Sequence, residues 1–165
     1  MNRIYDILYM VIIMLGISFE IENKYDNYLF KILDGITSSS DNIMVSGEVF
    51  DKNGNFLFDK DIYTKDEFET IIKKKDYYIV FLSLAIYDKK SNMSYISDLS
   101  CYNKYKPKLY LQVCDSIFVS LYSFDDDVIC KAKSNAIKNH FDKIEDAIYE
   151  KMYFIWCWQN STISI

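Results

Sequence analysis

Residues Tyr77–Tyr87 read YYIVFLSLAIY, an almost unbroken apolar run bounded by Asp76 on one side and Asp88-Lys89-Lys90 on the other. The stretch is rich in Ile, Val and Tyr and flanked by charges. It predicts a central β-strand buried on both faces. Such a strand needs hydrogen-bonded neighbours in the sheet and apolar cover above and below, so the rest of the chain must supply both.

Candidate neighbours are plain. In LYLQVC, Leu109, Leu111 and Val113 alternate with Tyr110, Gln112 and Cys114, and Asp115-Ser116 offers a tight turn before IFVSLYSF. In MVSGEVFDKNGNFLF, Asn53-Gly54 supplies the positive dihedrals of a hairpin between Val49/Phe50 and the alternating Phe56 and Phe58. GISFEI sets Ile17, Phe19 and Ile21 against Ser18, Glu20 and Glu22, the pattern of a half-buried strand, and YFIWCW near the end is another strand.

Three helices supply the cover. Asn23 is a candidate N-cap for a helix over 24–34, with Tyr25, Leu29, Ile32 and Leu33 on one face and Gly35 as its stop. Thr64 and Glu67 form a capping-box signature for a helix over 64–75 that buries Phe68, Ile71 and Ile72. Ser123 or an early Asp of FDDDV caps a third helix over 125–140, with Val128, Ile129, Ala132, Ala136, Ile137 and Phe141 as its apolar stripe. The expected fold class is α+β: a single domain with a mixed or mainly antiparallel sheet and about three packed helices.

Composition agrees with one globular domain. The chain has 165 residues, of which 50% are hydrophobic and 26% charged, with four Gly and one Pro, which excludes disordered and collagen-like classes. The 17% aromatic content includes fifteen Tyr, suited to core or half-buried sheet positions. Exposed, the same residues would suit a binding face. A net charge of −5 disfavours nonspecific association with polyphosphate.

Ile7 to Phe19 carries no charge, yet a membrane-spanning helix needs ~20 apolar residues. Arg3 is offset by Asp6 and no A-x-A site follows, so a secretory leader is not indicated. Met14 sits just before GISFEI, with only Leu15 between them. Residues 1–13 are therefore expected to be an upstream extension the fold does not need, with residues 4–14 a short helix or strand. The domain is expected over 14–160 and a tail over 161–165.

Motifs that carry chemistry are thin. Cys101, Cys114, Cys130 and Cys157 form no CxxC and have apolar or aromatic neighbours, so reduced, buried thiols are expected rather than a disulfide framework or a zinc site. His140 is the sole histidine, and Cys130 lies ~three helical turns before it, too far for a nucleophile–base pair. Asp51, Asn53 and Asn55 imitate a calcium loop, but Phe56 and Ile62 occupy its glycine and glutamate positions, so turn chemistry explains them. Asp125, Asp126 and Asp127 are accounted for by a helix N-terminus. No phosphate loop, GxSxG or HExxH occurs. No cofactor or metal is expected. The candidate interaction residues are Glu20 and Glu22, an acidic pair on one strand face, and Tyr102, Lys104, Tyr105 and Lys106, where cations interleave with rings.

Taken together, GISFEIENKYDNYLFKIL, YYIVFLSLAIY, LQVCDSIFVSLYSFD and the alanine/asparagine helix KSNAIKNHFDKIE resemble a family of small uncharacterised Firmicute proteins classed as a domain of unknown function. The likeness spans about Met14 to Trp158 and is most specific in its first motif. It implies a cytoplasmic single-domain protein and brings no catalytic residue. The expected function is a small cytoplasmic protein-binding module of regulatory or immunity type, with another protein as partner and neither nucleic acid nor membrane. The alternative is a small hydrolase-like enzyme or ligand sensor using carboxylates or a cysteine.

Overall fold

The computed structural model describes residues 7–74, 76–88, 92–96 and 104–156. Seven strands form one sheet: β1 (Ile7–Glu20), β2 (Asp41–Asp51), β3 (Ile62–Thr64), β4 (Tyr77–Asp88), β5 (Leu109–Cys114), β6 (Phe118–Ser123) and β7 (Asp142–Trp156). Their order is β3-β2-β4-β5-β6-β1-β7, and every pairing is antiparallel. Three helices that lie wholly within the described residues, α1 (Tyr28–Leu33), α2 (Lys65–Ile72) and α3 (Asp126–Lys138), complete a single α+β domain.

All three helices lie on one side of the sheet. There Ile17 and Phe19 of β1, Leu84 and Ile86 of β4, and Leu111 and Val113 of β5 pack against Leu29, Phe68 and Ala132 from the helices. Tyr77, fully buried at the start of β4, ties two helices to the strand. Its hydroxyl accepts from the Leu29 N–H at 2.9 Å and donates to the Ile72 carbonyl at 3.3 Å. Asn135 of α3, also buried, donates through Nδ2 to the carbonyls of Ile32 (3.0 Å) and Asp34 (2.8 Å), satisfying the end of α1.

The capping box forms as the sequence predicts: Thr64 Oγ1 accepts from the Glu67 N–H, and Glu67 Oε2 accepts from the Thr64 N–H. For α3 both expected caps are used in series. The Asp125 N–H donates to Ser123 Oγ, and Asp125 Oδ1 accepts from the Asp127 N–H. Asp115 and Ser116 adopt positive φ values of 51° and 64° in the β5–β6 turn.

Several expectations need correction. The first helix begins at Tyr28, not near residue 24; Asn27 holds the cap position, and Asp26 instead pairs with Tyr77 as an isolated bridge. Tyr25 is consequently exposed. The arm after Asn53-Gly54 meets β2 through one bridge, Phe50–Phe56, and then leaves it. Phe58 stacks on Phe68 with centroids 5.7 Å apart, so core burial outcompetes hairpin pairing. Strand β4 is buried on both faces only from Leu84 to Tyr87; Phe81 is 46% exposed. Cys114 and Cys130 are exposed free thiols rather than buried ones. Cys101 and Cys157 lie outside the described residues.

Strand β1 does not begin at GISFEI. It runs from Ile7, and its backbone pairs with β7 from Ile7–Trp156 through Ile17–Asp146. The segment DKIE belongs to β7 instead of continuing α3: the helix ends at Lys138, and His140 at φ 55° turns the chain towards the strand.

Candidate functional site

The sheet face turned away from the helices carries three rows of side chains, set by strand register. The first is apolar: Met44–Ala85–Tyr110–Tyr122–Gly16, crossing β2, β4, β5, β6 and β1. The Tyr122 ring lies over Gly16, where an added Cβ would come within 2.6 Å of it and 2.5 Å of the Leu121 carbonyl oxygen, so only glycine admits this approach. Residues 92–96 cover part of this row. Ile96 is buried with Met44, Ala85, Tyr87 and Tyr110, and the Tyr87 hydroxyl donates to the Ser94 carbonyl at 2.6 Å.

The second row is small and polar: Ser46–Ser83–Gln112–Ser120–Ser18, with Glu145 of β7 beyond it. Ser83 donates to the Tyr110 hydroxyl at 3.2 Å. The third row begins at Glu48 and Phe81 and continues through Cys114, Phe118 and Glu20. Phe81 and Cys114 lie one step beyond the Leu82–Val113 pair, and both line the same groove.

The small second row is therefore a floor between two taller walls. The groove has a volume of about 520 Å³ and is bordered by Tyr95, Ile96 and Tyr110 on one side and by Phe81 and Cys114 on the other. Partial burial and a hydrogen bond to the Asp61 carboxylate push the Tyr95 phenol up, keeping it a neutral hydroxyl at the rim. Phe118, 50% exposed, extends the lower wall.

The sequence candidates fall around this face unevenly. Glu20 ends β1 beside Phe118 and accepts from Lys143 Nζ at 2.8 Å. Glu22 lies past the strand, paired with Lys24 at 2.5 Å. The two carboxylates are thus each answered by a lysine and do not face one groove. Tyr105 packs against the cluster of Met44, Ala85 and Tyr110, with the Lys104 ammonium 4.8 Å from its ring centroid. Lys106 is exposed at φ 45°, and Tyr102 lies outside the described residues. His140 is exposed beyond α3.

Phe81, Phe118, Ser46, Gln112 and Ser120 were not among the sequence candidates. Their signal was present: a lone serine interrupts the apolar pattern of four strands, in ISF, VSG, LSL and VSL. Strand order is needed to see that these serines form one row.

Among the described residues, no group of three or more His, Cys, Asp or Glu side chains is placed to hold a metal ion. No helix among them is long and apolar enough to cross a membrane.

The chain is similar to the Uncharacterized protein YncE of Bacillus subtilis (strain 168), 26% identical over 138 residues that cover 79% of this chain and 89% of that protein. No solved structure matches it. The family model described as Protein of unknown function (DUF2691) matches residues 14–152, from just before GISFEI into the far half of β7. The strands, the helices and the open face all fall largely within that span, and the chain belongs to this family.

Proposed function

We propose that this chain is a small cytoplasmic protein-binding module of regulatory or immunity type, and that it meets its partner through the open face of the sheet. The observation that carries the reading is the pair Phe81 and Phe118, 46% and 50% exposed on either side of Cys114. Full burial of a Phe side chain is worth ~1.5–3 kcal/mol relative to exposure, and these two forgo much of that within regular strands. An apolar patch rimmed by polar groups is the usual mark of an interaction surface. Free thiols at Cys114 and Cys130 fit a reducing compartment. The competing enzyme reading would centre on Cys114, but the described lining of its groove holds neither histidine nor carboxylate to act as its base.

The test is a photo-crosslinking amino acid placed at Phe118 or, as control, at Ile137, which is 58% exposed on α3. In the native cells the Phe118 probe is expected to capture one discrete protein that the Ile137 probe does not. Equal capture at both positions, or none at Phe118, contradicts the reading.

A further inference from the structure

The floor of the groove narrows the chemistry of the partner, in an inference that rests on the protein-binding reading above. The side chains of Ser18, Ser46, Gln112 and Ser120 make no hydrogen bond with any described residue, whereas the Ser83 hydroxyl is engaged by Tyr110. Four side chains able both to donate and to accept thus lie in one line across five strands. With strands ~4.8 Å apart, that line is ~19 Å long. The aromatic rows stand two residues to either side of it, so their Cα atoms are ~14 Å apart. Side chains reaching in from both walls leave too little width for a helix, whose diameter with side chains is ~10–12 Å. A helix would also seek an apolar floor.

An extended backbone suits the floor, because it presents alternating N–H and C=O groups to mixed donors and acceptors. Its side chains would fall on Phe81 and Phe118. Charge sets a direction. Glu48, opposite Phe81 in the register, is exposed and has no partner among the described residues. At the other end of the same row Glu20 is already answered by Lys143. No lysine or arginine is among the described residues that line the groove, which disfavours a phosphate chain.

We infer that the occupant is an extended, largely uncharged segment of a partner protein that crosses the strands along the Ser46–Ser18 row and carries one Lys or Arg placed to meet Glu48.

The experiment pans a library of random linear peptides against the full chain and measures the enriched peptides by fluorescence anisotropy. The expected peptides carry one basic residue beside aliphatic or aromatic ones. Glu48→Lys is expected to weaken their binding about tenfold or more, and replacing the peptide's basic residue by Glu should recover binding to that variant. Gln112→Ala, which leaves Glu48 in place, should weaken it several-fold. Because both sites are exposed, unchanged thermal melting will show that the variants fold. Peptides that bind wild type and Glu48→Lys equally overturn the inference. Failure to enrich any linear peptide, while the Phe118 probe still captures a protein, overturns the extended segment and leaves the protein-binding reading standing. Failure of both removes both.

Discussion

Tyr77 shows how much of this fold rests on single polar atoms in apolar surroundings. Its buried hydroxyl satisfies the Leu29 N–H and the Ile72 carbonyl, and burial pushes the phenol far above its ordinary pKa, so it acts as a neutral donor and acceptor. Tyr77→Phe strands both backbone groups and is expected to cost ~1–3 kcal/mol in urea denaturation. Tyr63 has a buried ring too, but its hydroxyl bonds outward to Asp59 and to the Lys60 N–H. Tyr63→Phe should cost less, ~0.5–1.5 kcal/mol, because water can replace its partners. Equal losses would refute the assignment of Tyr77 as the link between α1, α2 and β4. Composition alone could not make this distinction. Fifteen tyrosines suggest both core and surface, and only tertiary placement sends Tyr77 and Tyr87 inward while Tyr25 and Tyr95 remain exposed.

Elements were legible where local chemistry and tertiary packing agree. The Thr64/Glu67 box is a local device, and it forms where it is written. Lys60, then the Thr64 N–H and hydroxyl, draw the Glu67 carboxyl down from 4.5 to about 2. On acidification the unfolded chain therefore takes up this proton first. The stabilisation is fully present above pH 4.5 and is lost as the pH falls towards about 2. Glu67→Gln keeps the box geometry but removes the titration. Its thermal midpoint is expected to fall less steeply than wild type across that window. Asp26 and Glu69 shift in the same direction, so the difference between the two proteins isolates Glu67. Parallel curves would show that the Lys60 pair adds nothing. Elements were misread where a distant contact decides. The start of α1 yields to the Asp26–Tyr77 bridge, and the arm after Gly54 yields to the pull of Phe58 into the core. The front of β7, DKIED, has too many charges to read as a strand, yet as an edge strand it can leave most of them in water.

At the scale of the whole molecule the defining feature is asymmetry. The sequence announced about three helices and a mixed or mainly antiparallel sheet, but not that α1, α2 and α3 would all cover the same side. That outcome depends on strand order, which no single segment encodes. It also explains why YYIVFLSLAIY is only partly buried on both faces: residues 92–96 reach its second half and leave Phe81 uncovered. The same asymmetry exposes Cys114 on the open face and Cys130 on a helix, giving two native reporters on different surfaces. The most direct test compares alkylation of these two thiols in intact cells and in the purified chain, quantified peptide by peptide by mass spectrometry. Both should react in the purified protein, while in cells Cys114 should be protected relative to Cys130. A Cys114-to-Cys130 labelling ratio that is the same in both settings would contradict the claim that the open sheet face is where this protein is bound.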